Sequence, residues 1–267
     1  MADYQIINPY NGELIDAYDF HTREQVQGAI ETLVEGRKTQ LATPAFERSS
    51  TLMKLAQLLS ERKEDLAQLI TEETGKTISD SRVEIDRAYN TALASAMEAR
   101  GINGEALDSD AYPPMREKIG VVLWKPLGTV LCITPFNFPI NIAVHKIGPA
   151  FAAGNTILFK PGPQNKRSAE LLVELCYAAG MDKSVLQMLI PDIEATSYAV
   201  SHPQIQAINF TGGTAAANAI AANAGYKKML FELGGNDPLI VMPDADLDAA
   251  VTATINQRFA TAGQRCT

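Results

Sequence analysis

The chain has 267 residues, 46% of them hydrophobic, which is enough to bury a large core as a soluble globule. A net charge of −8 without a Lys/Arg run argues against nucleic acid or an anionic membrane as the main partner. No apolar run has the length of a signal peptide core or a membrane span. Three scattered cysteines indicate a reducing compartment, so the cytoplasm is the expected location. Cys132 and Cys176 lie in apolar contexts and are predicted to be buried.

The first hundred residues are predicted to form helices. Thr22-Arg23-Glu24-Gln25 resembles a capping box and begins an amphipathic helix. A second, longer helix is predicted from Pro44 to a C-cap at Gly75, and a third from Ser79 to Arg100. The chain therefore begins with an N-terminal helical region.

The pattern changes to strands after residue 118. Segments 119–124 and 129–134 are predicted to form a strand pair. Further on, short apolar strands alternate with helices, which predicts an α/β fold with a doubly wound, mostly parallel, Rossmann-like sheet. The predicted strands are 156–159, 185–190, 206–210, 229–231 and 239–241, and the helices are 168–178, 193–201, 215–224 and 247–260.

Polar or glycine residues follow several of these strands, where ligands bind in doubly wound sheets. Lys160 follows one strand, and Thr211, Gly212 and Gly213 follow another. A lysine can donate to ribose hydroxyls, and a glycine loop before a helix can bind pyrophosphate through its N–H groups. Together they predict a dinucleotide site. The alternatives are a solvated strand end and an ordinary turn.

Three further residues are candidates for catalysis. Cys266 lies in a polar segment after the last predicted helix, next to Arg265, which would favour the thiolate. Glu232 ends an apolar strand, where desolvation would raise its pKa toward that of a general base. Asn137, held between prolines and aromatic residues, would present a rigid amide to an oxyanion. The alternatives are a packed thiol, a charged strand end and a turn-forming asparagine.

Five segments together resemble the motifs of the aldehyde dehydrogenase superfamily, in order and spacing, over nearly the whole chain. The resemblance implies oxidation of an aldehyde to a carboxylic acid with NAD or NADP. Cys266 would attack the aldehyde, Asn137 and the Cys266 N–H would hold the thiohemiacetal oxygen, and Glu232 would activate the water that hydrolyses the thioester. The five segments are 134–139, 159–161, 209–213, 232–235 and 263–266.

The resemblance also assigns the coenzyme site. Lys160 would contact the adenosine ribose, residues Thr211 to Gly213 would lie under the pyrophosphate and nicotinamide, and Phe136 belongs to the same site. Many NAD-preferring members carry a glutamate three residues after the lysine, where this chain has Pro163. Both coenzymes stay open, with NAD preferred because no arginine replaces the acid.

The predicted substrate-binding residues are His145, Arg265 and Arg100. The resemblance assigns the segment of His145 to the substrate entrance, whereas Arg265 adjoins the thiol and Arg100 ends the third predicted helix. An arginine beside the cysteine occurs in members that oxidise phosphorylated or phosphonate-bearing aldehydes, such as non-phosphorylating glyceraldehyde-3-phosphate and phosphonoacetaldehyde dehydrogenases. A small, anionic aldehyde is therefore predicted as the substrate, and no metal is expected. The alternative is that Arg265 forms a structural salt bridge and that His145 is a packed helix residue.

Three regions follow from the resemblance. Residues 1–110 would be the helical part of the coenzyme domain, 111–150 a strand pair with the substrate entrance, and 151–267 the dinucleotide-binding sheet ending at the nucleophile loop. Members of the family are nearly twice as long, so the catalytic lobe is expected to be absent and the chain alone to have little activity, with a carboxylate at Thr267 opposing the thiolate. The full-length form would be a homo-oligomer. A non-catalytic dinucleotide-binding module is the alternative.

Overall fold

The computed structural model describes residues 2–107, 113–116 and 118–266. The predicted boundary between residues 110 and 111, and the predicted effect of a carboxylate at Thr267, lie outside the described residues. Within the described ranges, no helix is both long enough and apolar enough to cross a membrane.

An initial hairpin and four helices precede the part of the chain in which strands and helices alternate, which begins at the fifth strand. The helices are α1 (Arg23–Ala42), α2 (Ala45–Glu61), α3 (Lys63–Thr74), α4 (Ile78–Gly101), α5 (Asn141–Ala152), α6 (Lys166–Ala179), α7 (Ile193–Ser201), α8 (Thr214–Ala224) and α9 (Leu247–Phe259). The strands are β1 (Tyr4–Ile7), β2 (Leu14–Tyr18), β3 (Glu105–Leu107), β4 (Gly120–Val122), β5 (Thr129–Ile133), β6 (Thr156–Lys160), β7 (Leu186–Met188), β8 (Ile205–Thr211) and β9 (Lys228–Glu232).

A five-stranded parallel sheet in the order β7-β6-β5-β8-β9 forms the centre, as predicted. The strand order reverses at β5, which has β6 on one side and β8 on the other. Lys160 at the end of β6 is in register with Ile133, and Thr211 at the end of β8 is in register with Glu232. Parallel strands therefore bring the predicted site residues to one edge of the sheet.

Both faces of the sheet are covered by helices. Val130 and Cys132 of β5 face a core formed with α2 to α6, whereas Leu131 and Ile133 face a core formed with α1, α7 and α8. This alternation follows from the period of two in a strand. Cys132 and Cys176 are fully buried in the first core, which confirms their assignment to the interior.

The local helix signals are confirmed at their ends but not throughout. Thr22 and Gln25 form the predicted capping box, and Gly75 ends α3 with φ at 71°. The predicted helix from Pro44 to Gly75 is wrong as a single element, because it breaks at Arg62 into α2 and α3. Leu59 and Leu66 on the two sides of the break lie in the same core. Apolar spacing alone therefore conceals the change of direction.

Three strand predictions need correction. The N-terminal region is not entirely helical, because β1 and β2 form an antiparallel hairpin before α1. The predicted pairing of 119–124 with 129–134 is wrong, since β4 pairs with β3 and β5 joins the central sheet. Residues 239–241 are exposed and form no strand. Apolar content indicates a strand but does not identify its partner, and a strand without a partner does not form.

Glu73, the second-last residue of α3, is a buried carboxylate that contacts the start of α6. It accepts hydrogen bonds from the Arg167 N–H at 2.7 Å and from the Ser168 hydroxyl at 2.5 Å. Burial raises the pKa of Glu73 from 4.5 to about 7, although these hydrogen bonds lower it. The ionised form therefore costs the fold more than the protonated form does.

This predicts a pH-dependent effect of Glu73→Gln. Because the folded pKa lies above the unfolded one, the stability contributed by the protonated carboxyl is fully present below pH 4.5 and is lost as the pH rises to about 7. The wild-type free energy of unfolding, relative to Glu73→Gln, should fall by on the order of 2–3 kcal/mol over that range. Urea unfolding at several pH values measures it. Glu61→Gln at the exposed end of α2 is the control, and a pH-independent difference for Glu73→Gln would contradict the prediction.

Candidate active site

Asn137 lies in the turn between β5 and α5, at the sheet edge where the predicted site residues meet. Its Nδ2 donates a hydrogen bond to the carbonyl oxygen of Gln264 at 2.8 Å. Gln264 is two residues before Cys266, so this contact brings the predicted oxyanion donor to the nucleophile loop. One Nδ2 hydrogen makes this bond, and the other has no partner among the described residues.

The predicted nucleophile loop, residues 260–266, follows α9 through a left-handed turn. Thr261, Ala262 and Gly263 have φ values of 55°, 53° and 75°. The turn presents Cys266, which is exposed as predicted. Arg265 donates to the Gln257 side chain at 2.8 Å, so this arginine is directed back along α9. The loop therefore offers an accessible thiol with a cation beside it in the chain.

Glu232 is the last residue of β9, where its carboxylate accepts a hydrogen bond from the Thr211 hydroxyl at 3.1 Å. Its side chain is exposed. The prediction that this carboxylate is desolvated is therefore wrong for the part of the chain that the structure describes. The reason is that β9 is an edge strand and most of its residues are exposed.

Lys146 on α5 is a residue that the sequence analysis missed. It is 1% exposed, and its Nζ donates to the Asn209 side chain of β8 at 2.7 Å. Burial lowers the pKa of Lys146, whereas the negative charge of Glu232 raises it. The only signal in the sequence is the apolar surroundings of this lysine in α5.

His145 of α5 and Arg87 of α4 lie on two helices that pack against each other next to the Asn137 turn. The His145 Nε2 is 3.3 Å from the Thr91 hydroxyl of α4. Burial lowers the pKa of His145, Glu232 raises it, and the charge of Arg87 lowers it again. The Arg87 guanidinium lies 5.5 Å from the centre of the Phe138 ring. An exposed arginine of α4 thus lies beside the residue that follows Asn137.

The structure does not bring Arg100 into this group. It is exposed in the last turn of α4, nine residues after Thr91. At 1.5 Å and 100° per residue it lies about 13 Å further along the axis and on the opposite side of the helix. The arginines of α4 have the same local signal, and only the packing of α4 against α5 distinguishes them.

A cavity of about 870 Å³ opens between the strand ends and helices α7 and α8. Lys160 and Phe210 line it, and burial lowers the pKa of Lys160. Gly213 precedes α8, and a Cβ added there would meet nothing within 4 Å. The lining is mostly apolar and includes Asp192 and Glu194 besides the lysine. A mostly apolar cavity with a lysine and an open helix N-terminus beside it fits a ring system joined to a diphosphate.

The other predicted coenzyme residues, Phe136, Thr211 and Gly212, are not among the residues that line this cavity. Phe136 is partly exposed, and its backbone approaches Gly162. Thr211 is buried at the end of β8 and bonds to Glu232. Gly212 packs against the Phe210 ring, where an added Cβ would come within 2.5 Å. A glycine at position 212 is therefore explained by its packing against Phe210, independently of any coenzyme contact.

Comparison with known proteins gives the family. The model of the aldehyde dehydrogenase family matches residues 2–267. The chain belongs to this family. The sulfoacetaldehyde dehydrogenase of Neptuniibacter caesariensis is 63% identical over 264 residues, which are 99% of this chain and 58% of that protein. The 3-sulfolactaldehyde dehydrogenase of Priestia aryabhattai is 35% identical over 98% of this chain and 55% of its own length.

Solved structures of family members superpose on the chain. The NADP-dependent glyceraldehyde-3-phosphate dehydrogenase from Bacillus halodurans C-125, complexed with NADP, is 36% identical with a TM-score of 0.94, covering 99% of this chain and 56% of that one. The glyceraldehyde-3-phosphate dehydrogenase GapN from Methanocaldococcus jannaschii DSM 2661, also complexed with NADP, is 33% identical with a TM-score of 0.92, covering 100% and 58%. The chain thus spans somewhat more than half the length of these relatives.

Proposed function

We propose that this chain carries the coenzyme site and the nucleophile of an enzyme that oxidises sulfoacetaldehyde, or a closely related small anionic aldehyde, to the carboxylate. The contact from Asn137 to Gln264 carries this proposal, because it joins an amide donor to the loop of an exposed cysteine. The 63% identity to a sulfoacetaldehyde dehydrogenase supports the choice of substrate. Since the chain spans 58% of that relative, the proposed activity is that of the whole protein.

The residues would divide the reaction between them. The Cys266 thiolate adds to the aldehyde carbon, and the resulting thiohemiacetal oxygen is held by the second Nδ2 hydrogen of Asn137 and by the Cys266 N–H. A bound nicotinamide coenzyme supplies the hydride acceptor. Glu232 then takes a proton from water, which attacks the thioester, releases the carboxylate and restores the thiolate.

The coenzyme would occupy the cavity beside α7 and α8. Lys160 would donate to the ribose, and the N-terminus of α8 after Gly213 would face the diphosphate. Asp192 and Glu194 also line this cavity, and their charges would oppose a 2′-phosphate. We therefore infer a preference for NAD, in contrast to the two relatives solved with NADP.

The anionic group of the substrate would meet Arg87, which lies against Phe138 beside Asn137. Arg265 follows the residue that Asn137 contacts, and its guanidinium would have to leave Gln257 to reach the substrate. His145, whose pKa is lowered from 6.5, is neutral at pH 7 and would serve as a hydrogen-bonding partner. In sulfoacetaldehyde a single carbon separates the aldehyde carbon from the sulfonate. A substrate of this size therefore keeps its charge close to the turn.

Steady-state assays of the product of the complete gene test this function. We expect kcat/KM for sulfoacetaldehyde to exceed that for propanal by about 100-fold, as a charge-assisted contact of roughly 2.7 kcal/mol would give. The KM should be lower for NAD than for NADP. Arg87→Met should remove most of the substrate preference, whereas Arg82→Met, on the same helix but paired with Glu64 at 2.8 Å, should retain it.

Two outcomes would overturn the proposal. Equal kcat/KM for the two aldehydes would exclude recognition of the anionic group. Coenzyme binding without oxidation of either aldehyde would favour the non-catalytic dinucleotide-binding module.

A further inference from the structure

A buried ion pair lies beneath the Asn137 turn. The Lys76 Nζ donates to the Glu84 carboxylate at 2.5 Å, and neither side chain is exposed to solvent. Lys76 follows the end of α3, and Glu84 is on α4. Removing both charges from water carries a desolvation cost that their attraction offsets only with further hydrogen bonds. The partners of those further bonds indicate what the pair does.

Lys76 and Glu84 bind opposite ends of the Asn137 turn. The Lys76 Nζ also donates to the Asn137 carbonyl oxygen at 2.7 Å and lies 4.1 Å from the centre of the Phe138 ring. The other Glu84 oxygen accepts from the Ile140 N–H at 2.9 Å and the Asn141 N–H at 3.1 Å. The pair therefore fixes the main chain on both sides of the turn.

Glu84 also replaces a missing helix cap. The N-cap residue of α5 is Ile140, whose side chain cannot accept a hydrogen bond from the first turn. Glu84 accepts from these free N–H groups through space, and its negative charge suits the positive end of the helix dipole. Because α5 carries Lys146 and His145, the same carboxylate fixes the start of the helix that presents them.

We propose that Lys76 and Glu84 are positioning residues of the oxyanion site, which hold the Asn137 backbone so that its side-chain amide faces the oxygen formed at Cys266. This inference rests on the proposed function. Oxyanion donors act only within narrow limits of distance and direction, and a side chain on a turn is no more fixed than its main chain. Lys76 and Glu84 would not touch the substrate.

A second ion pair on the same helices provides a matched control. The Nζ of Lys63 on α3 lies 2.7 Å from the Oδ2 of Asp86 on α4, but the two side chains are 29% and 59% exposed. Asp86 is only two residues from Glu84. Neutralising the Lys63–Asp86 pair therefore alters the same helix without touching the turn.

The test is a double-mutant cycle in the product of the complete gene. Lys76→Met combined with Glu84→Gln should lower kcat by about 10- to 100-fold and leave the KM for coenzyme within about twofold. In an Asn137→Ala background the same change should lower kcat by less than about twofold, since the positioned amide is gone. Lys63→Met with Asp86→Asn should leave kcat unchanged. Equal losses in both backgrounds would overturn the positioning role, because a purely structural effect is additive.

Two additional measurements keep the inference testable. If the double variant does not fold, Glu84→Gln alone is taken through the same cycle, with the same criterion. If the wild type oxidises no aldehyde, the proposed function fails, and hydrogen exchange of the Ile140 and Asn141 amides then decides the positioning claim. These amides should exchange at least about tenfold faster in Glu84→Leu than in the wild type. Unchanged exchange would overturn it.

Discussion

Replacing Cys266 with serine in the product of the complete gene is expected to lower kcat by about 10³-fold or more. A thiol forms a nucleophilic anion near neutral pH, whereas a serine hydroxyl does so only with a base positioned on it. Cys266 is the exposed cysteine among the three, and its loop is bonded to Asn137. Steady-state kinetics with sulfoacetaldehyde measures the loss, and a coenzyme titration followed by thermal shift should remain unchanged.

The matched control for this variant is Cys176→Ala. Cys176 is fully buried in the core, so its replacement should lower the melting temperature slightly and leave kcat near the wild-type value. If the Cys266→Ser enzyme kept a tenth or more of the wild-type kcat, another residue would have to be the nucleophile.

Asn137→Ala is expected to lower kcat by about 10²–10³-fold, which corresponds to roughly 2.7–4 kcal/mol of transition-state stabilisation. The loss should appear in kcat more than in the KM for the aldehyde, because the thiohemiacetal oxygen gains its negative charge only during the reaction. Asn90→Ala is the control, since this exposed asparagine of α4 bonds only to the backbone of its own helix at 2.9 Å among the described residues. A raised KM with an unchanged kcat would show that Asn137 binds the aldehyde and does not stabilise its oxyanion.

Asn137 makes two contacts, and different variants remove them. Its side chain bonds to Gln264 in the nucleophile loop, whereas its carbonyl oxygen bonds to Lys76. Asn137→Ala removes the first contact and keeps the second. A comparison with the Lys76 and Glu84 variants therefore distinguishes the loss of the amide from its displacement.

Much of the secondary structure of this protein could be predicted from local sequence signals. The capping box at Thr22 and the C-cap at Gly75 could be predicted because cap geometry depends on adjacent residues. The strands that end at Lys160 and Thr211 could be predicted because short apolar runs covered on both faces have few alternatives. The strand that ends at Glu232 could be predicted from its apolar residues, although most of them are exposed. Parallel order then brings these strand ends to one edge. The sequence by itself therefore predicts the edge of the sheet at which the candidate site lies.

Only the tertiary structure decided how the helices and strand partners are arranged. A lysine has the same local signal whether it faces water, as most do, or the interior, as Lys146 and Lys76 do. Their burial depends on how α4 and α5 pack, which involves residues far apart in the chain. For the same reason the break at Arg62 and the pairing of β3 with β4 could not be predicted. Periodicity and capping act over a few residues, whereas burial, charge pairing and strand partnership are settled by contacts between distant segments.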